Sequence, residues 1–199
     1  MNEKSSVRAE VQFGTAVKFP VSVPVIVIGA GACGLIAALA AHDAGVEALV
    51  LERDAKPSGS TALSSGFIPA CQTRWQAAVG VSDSVGLMVD DILRKTKDLT
   101  DPGYVEVLCR ESGRTLEWLS DSHGLDFTLV TGFTYPGQSA LRMHAVPART
   151  GRALIDGLSS AAVDAGIEIV TNATVECLFA LPGGRIVGVE VVRPDGARE

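Results

Sequence analysis

The chain has 199 residues, 47% of them hydrophobic and 20% charged, with a net charge of −6. That acidic surplus argues against nucleic acid or an anionic membrane surface as a partner, since both would repel it. No stretch approaches the roughly 18 uninterrupted apolar residues of a spanning helix, so no membrane span is expected. Residues 1–20 carry Glu3, Lys4, Arg8, Glu10 and Lys18 with no apolar run between them. This predicts a flexible N-terminal segment or a short edge strand, and no signal peptide. Residues 21–199 read as one domain.

Val25 to Ile28 form an apolar run that enters Gly29-Ala30-Gly31-Ala32-Cys33-Gly34. A small-residue helix follows, with Ala38 one turn beyond Gly34 and Ala37, Ala40 and Ala41 keeping it slim against the strands. Gly45 is placed to end that helix in a left-handed conformation. A second apolar run stops at Glu52, 18 residues beyond Gly34. Strand, glycine turn, helix, strand and acid is the layout of a dinucleotide-binding βαβ unit. Gly29 permits a sharp turn, Gly31 lets backbone approach a pyrophosphate, and Gly34 lets the helix lie close to the sheet. The positive end of the helix favours the diphosphate. Glu52 is suited to accept hydrogen bonds from the ribose hydroxyls of an adenosine, and it would repel a 2′-phosphate. An ordinary βαβ crossover without a ligand shares this pattern.

The βαβ unit alone does not separate FAD from NAD. Residues 53–69 are rich in Gly, Ser and Thr, including Ser58, Ser60, Thr61, Ser64 and Ser65. Such a loop offers N–H and hydroxyl donors to phosphates, a ribityl chain or the polar edge of an isoalloxazine ring. A flexible surface linker has the same composition.

Further along, Ser82 or Asp83 is expected to cap a helix running to about Lys97, with Met88, Ile92 and Leu93 as its apolar stripe. Asp101-Pro102 predicts a second helix to about Ser122, burying Val105, Leu108, Cys109, Leu116 and Leu119 and stopped by Gly124. His123 reads as a surface residue that complements the helix dipole. A strand is expected within 127–130, a loop over 132–137, a helix from Thr150 to about Ala165 ended by Gly166, and a strand over 167–170. Thr174–Leu181 and Arg185–Val192, joined by Pro182-Gly183-Gly184, predict a hairpin. Arg142 and His144 are the polar side chains most suited to stand near a cofactor or substrate. A purely structural pair of buried hydrogen-bonding residues is the other reading. Cys33, Cys71, Cys109 and Cys177 are widely spaced with no C-x-x-C, which predicts free thiols and a cytoplasmic location.

Six motifs in order carry a resemblance. They are GAGACG with Glu52, GSTALSSGFIPA (59–70) with TRWQ (73–76), VSDSVGLMVDDI (81–92), DPGYVEVLCRESGRTLEWL (101–119), LRMHAVPARTG (141–151) and TVECL with GRIVGVEV near 174–191. Together they resemble the N-terminal part of the fumarate reductase/succinate dehydrogenase flavoprotein family, which includes 3-ketosteroid dehydrogenases and L-aspartate oxidases. Gly66-Phe67 stands where that family has a glycine pair. The resemblance implies an α/β, Rossmann-like FAD-binding domain with a parallel sheet and a β-hairpin. It implies pyrophosphate contacts from Gly29, Ala30, Gly31, Ala32, Cys33 and Gly34, and adenosine contacts from Glu52 and Arg53. Ser60, Thr61, Ser64, Ser65 and Gly66 would meet the ribityl-flavin side, and Val175 the adenine through its backbone. Ser60 stands where membrane-bound relatives have the histidine that bonds covalently to the flavin, so FAD is expected to be non-covalent.

The chain ends at Glu199, directly after the hairpin. Family members continue with an ATGG turn, a substrate-capping domain carrying the catalytic arginine and histidines, and a closing segment. The expectation is therefore an incomplete, C-terminally truncated FAD-binding domain, with no catalytic residue and no metal ligand of its own. Alone it would be inactive, bind FAD weakly and aggregate readily. The intact enzyme would pass a hydride between flavin N5 and a CH–CH/C=C substrate, a dicarboxylate or a steroid-like molecule, with the C-terminal portion or an electron-transfer partner supplied separately. An NAD-dependent dehydrogenase and a non-catalytic nucleotide-binding remnant are the alternatives.

Overall fold

Gly29 and Gly45 both have positive φ, 99° and 74°, and these two left-handed residues bracket the first crossover. The computed structural model describes residues 10–14 and 18–199. In chain order β1 (Glu10–Phe13) precedes β2 (Val25–Ile28), α1 (Ala32–Asp43) and β3 (Ala48–Leu51). There follow α2 (Gly59–Leu63), β4 (Ile68–Pro69), α3 (Arg74–Ala78), α4 (Val85–Thr96) and α5 (Pro102–His123). Last come β5 (Thr128–Leu129), β6 (Met143–Ala145), α6 (Gly151–Asp164), β7 (Glu168–Val170), β8 (Thr174–Ala180) and β9 (Ile186–Val192). The expected α/β class holds. Among the described residues no helix is long and apolar enough to cross a membrane.

The chain divides into two compact units. The first comprises residues 1–59 and 158–199. It holds a parallel sheet of order β2-β3-β7, with Val25 opposite Ala48, Ile28 opposite Leu51 and Leu51 opposite Val170. A second sheet, β1-β8-β9, pairs β1 parallel to β8 and β8 antiparallel to β9. The predicted hairpin is β8–β9. Within 1–20, Glu10–Phe13 takes the edge-strand alternative, and the expectation for residues 1–9 and 15–17 lies outside the described residues. Leu51, Ala173 and Val191 are the buried centre of a cluster that includes Leu49, Val170, Val175 and Val189. α1 buries Leu35, Ala38 and Leu39. Ala37 and Ala40 are exposed and Ala41 is half-buried, so the expectation that these three keep the helix slim against the strands fails for Ala37 and Ala40, and Ala38 is the alanine packed there. β2 is an edge strand with Ile28 54% exposed, although parallel strands are usually covered on both faces.

The second unit, residues 60–157, contains an antiparallel sheet of order β4-β6-β5 and the pair α4 and α5. Cys71, Met88, Val105 and Cys109 form the core between the helices, with Ile92 and Leu93 packed against it. Ser84, not Ser82 or Asp83, caps α4 by accepting from the Leu87 N–H at 3.1 Å. Asp83 is committed instead to Arg142. Asp101 caps α5 with Pro102 at its first position, and Gly124 ends it at φ 69°, as the dipeptide and the glycine predict. Leu108 is 51% exposed rather than buried. Gly113 takes that place on the packed face, because a Cβ there would collide with the Cys71 carbonyl oxygen. The expected 127–130 strand shortens to Thr128–Leu129, while β4, β6 and α3 were not foreseen.

Candidate functional site

The C-terminal ends of parallel strands are where ligand crevices form in open α/β sheets. In the first unit a cleft of about 560 Å³ opens at the ends of β2 and β3 and the start of β8. Gly29, Gly31, Glu52, Arg53, Ser58 and Val175 are among its walls. Thus five residues expected from separate parts of the sequence, Gly29, Gly31, Glu52, Arg53 and Val175, meet around one cavity. Asp54, Ala173 and Thr174 also line it and were not singled out from sequence.

The N-cap of α1 is Gly31, with φ −75° and no side chain to cap the helix. Gly31 itself therefore offers no side-chain acceptor to the first turn of α1, whose N-terminus is its positive end. Gly34 works by packing: a Cβ there would collide with the Gly29 carbonyl oxygen and approach Val27 Cγ1 at 3.1 Å. Cys33 is exposed on the first turn of α1, next to Ala32. Ala30 is buried, and its N–H donates to Glu52 Oε2 at 2.7 Å. Glu52 Oε1 accepts from the Asp54 N–H at 2.9 Å. The acid at the end of β3 is therefore tied across to the glycine turn. Backbone space at Gly29, a helix start whose N-cap is a glycine and a carboxylate beside them fit a dinucleotide's diphosphate and sugar.

The expected Ser/Thr loop contains α2 and is organised within the second unit from Ser60 onward. Ser64 Oγ donates to the Thr61 carbonyl at 2.8 Å and accepts from the Gly66 N–H at 3.0 Å. The Gly151 N–H donates to the Ser64 carbonyl at 2.9 Å. A Cβ on Gly151 would strike the Thr61 carbonyl oxygen, and one on Gly66 would lie 2.6 Å from the Thr150 carbonyl oxygen. Ser60, Ser64 and Ser65 are exposed, Thr61 half-buried and Gly66 buried.

Arg142 and His144 are 1% and 0% exposed, so the structural reading of this pair applies. Arg142 donates to Asp83 and, from Nη1, to Asp91 Oδ2 at 2.5 Å. Asp91 also accepts from the Ser139 N–H and hydroxyl, both at 2.6 Å, and pairs with Arg94. Burial pushes the Asp91 carboxyl up, but the bonds from Ser139 and Arg142 outweigh it and hold it well below the usual carboxylate range. His144 Nδ1 lies 2.8 Å from the Arg142 carbonyl oxygen, so Nδ1 carries the proton and Nε2 accepts from the Thr73 hydroxyl at 2.8 Å. Burial lowers the His144 pKa, which keeps the ring neutral. Asp91 was missed from sequence, although an acid one turn after Met88 on an apolar stripe signals a buried carboxylate with a partner.

The sequence matches the FAD binding domain family over residues 24–199. The chain belongs to that family. It is 30% identical over 178 residues to the NADH:fumarate oxidoreductase of Klebsiella pneumoniae (strain 342), covering 88% of this chain and 19% of that protein. It superposes on the open conformation of a flavocytochrome c3 fumarate reductase with a TM-score of 0.78 and 27% identity, over 92% of this chain and 30% of the other. With the 3-ketosteroid-delta4-(5alpha)-dehydrogenase from Rhodococcus jostii RHA1, in complex with 4-androstene-3,17-dione, the TM-score is 0.80 and the identity 25%. That match covers 96% of this chain and 46% of the dehydrogenase. The FAD binding domain therefore spans less than half the length of each of these proteins. Over that span it is similar to the flavin-binding part of fumarate reductase-type flavoproteins, and the family's cofactor is FAD.

Proposed function

We propose that this FAD binding domain is a Rossmann-like part of an oxidoreductase acting on CH–CH bonds, of the fumarate reductase/succinate dehydrogenase type. The observation that carries the reading is the cleft where Gly29, Gly31, Glu52 and Val175 converge. Bound FAD would supply hydride transfer between its N5 and a substrate carbon. Gly29, Gly31 and the start of α1 would hold the pyrophosphate, with Ala32, Cys33 and Gly34 shaping the turn. Ala30 would act through its bond to Glu52. Glu52 and Arg53 would receive the adenosine, and the Val175 backbone the adenine. Ser60, Thr61, Ser64, Ser65 and Gly66 would meet the ribityl-flavin side with hydroxyl and amide donors. Ser60 offers no imidazole for a flavin bond, so FAD is held non-covalently. Acid precipitation of the FAD-loaded protein should leave the yellow colour in the supernatant, and a yellow pellet would refute this.

The substrate is a C4 dicarboxylate, on the similarity to two fumarate-reducing proteins. A steroid-like substrate is the second reading, favoured by the 96% coverage against the 3-ketosteroid-delta4-(5alpha)-dehydrogenase. Four free cysteines suit a reducing, cytoplasmic setting. Calorimetry of the chain with ADP and FAD tests the core of the reading: both should bind, and Glu52→Lys should abolish binding. If neither binds the wild type, the reading fails.

A further inference from the structure

We infer that Glu52 is a positioning residue that holds the phosphate-binding turn in shape before any nucleotide arrives. This rests on the FAD reading and goes beyond a sugar contact. Both carboxylate oxygens are engaged by backbone: Oε2 accepts from Ala30, 22 residues earlier, and Oε1 accepts from Asp54. Glu52 itself is rigidly seated. Its own N–H donates to the Val170 carbonyl at 2.8 Å, and its carbonyl accepts from the Ala173 N–H at 2.8 Å. The side chain is thus a strut from the β3/β7 edge to the segment Gly29–Gly31.

That segment requires a strut. Gly29 sits at φ 99° with space around it, and glycine loses more conformational freedom on ordering than any other residue. A charge-assisted bond to the Ala30 N–H is stronger than a neutral one, and Ala30 is fully buried. Holding Ala30 restricts Gly29 and Gly31 on either side of it. A carboxylate has about four lone-pair sites, so Glu52 can serve both backbone donors and still accept from ribose hydroxyls. Gln in its place accepts through one atom only, leaving one backbone N–H facing an NH2 group.

The test separates the sugar role from the turn role with 2′,3′-dideoxyadenosine diphosphate, which lacks the hydroxyls. Calorimetry on the full chain compares ADP and the dideoxy analogue for wild type and Glu52→Gln. The proposal expects Glu52→Gln to weaken the dideoxy analogue about tenfold, one charge-assisted hydrogen bond's worth. In ¹⁵N-labelled protein without nucleotide, the Ala30 amide should exchange slowly and shift on Glu52→Gln, while the Gly113 amide stays in place. Dideoxy affinity unchanged within twofold, with ADP weakened, overturns the proposal and leaves the FAD reading standing. Wild type binding neither nucleotide overturns both. Should Glu52→Gln fail to fold, wild-type exchange decides: a protected Ala30 amide supports the strut, and one exchanging as fast as an exposed loop amide overturns it.

Discussion

Arg142 and Asp83 form a two-pronged ion pair inside the second unit, Nε to Oδ2 at 2.7 Å and Nη2 to Oδ1 at 2.8 Å, with both side chains at most 1% exposed. Gln76 donates to the same Asp83 carboxylate at 3.0 Å and to the Leu141 carbonyl at 2.8 Å. Asp91 closes the network from α4. Arg142 therefore ties the segment before α4, α4 itself and β6 together.

Removing one member of such a network leaves buried charge without a partner, which costs about 3–5 kcal/mol. Arg142→Met should lower unfolding stability by about that amount, a large part of a domain's usual margin. Urea unfolding checks this, and a loss below about 1 kcal/mol would contradict the network's structural role.

Stability should fall in two steps with acid. His144 has its pKa lowered in the fold, so the unfolded chain takes up the proton first. Its contribution is complete above the ordinary histidine value of 6.5 and is lost as pH drops from there toward the folded pKa. Asp91 is also held below its ordinary 3.8, so its contribution is complete above 3.8 and disappears only at lower pH. Thermal midpoints should decline between pH 7 and 5, and His144→Gln should flatten that first step alone.

Two helical glycines should respond to alanine in opposite directions. Gly86 in α4 has open space where a Cβ would go, so Gly86→Ala should gain up to about 0.5 kcal/mol from reduced chain entropy in the unfolded state. Gly113 in α5 faces the Cys71 carbonyl, so Gly113→Ala should lose about 1–3 kcal/mol. Denaturant midpoints that moved the same way for both would refute the packing account.

Thiol labelling should distinguish the cysteines. Cys33 is exposed, while Cys71, Cys109 and Cys177 are buried. Burial, with Cys71 beside it, pushes the Cys109 thiol up to about 11, and burial with nearby Asp83 raises Cys71. Native protein at pH 8 should take up one equivalent of iodoacetamide, at Cys33, and all four on denaturation. FAD bound at the neighbouring turn should slow the Cys33 reaction.

Local physics was legible along the chain. The β2–α1–β3 unit, the Asp101-Pro102 helix start, the Gly124 stop and the β8–β9 hairpin are each written in a few adjacent residues, because period, caps and turns are short-range. The loop over 53–69 was read from composition alone, and the α2 turn within it escaped notice because Ser and Thr serve caps, turns and helices alike. The α4 cap shifted to Ser84 because three candidate residues stand in a row, Ser82-Asp83-Ser84, and Arg142 claims the middle one.

From sequence alone came the nucleotide-binding unit, the acid at its end and the family, since spacing along one chain carries them. Tertiary structure decided the roles: Arg142 and His144 became buried scaffold, Gly113 became a contact point for backbone, and Glu52 became a bridge to Ala30. Those outcomes depend on which groups lose water and which partners reach them from 20 to 60 positions away, and no local pattern encodes a desolvation.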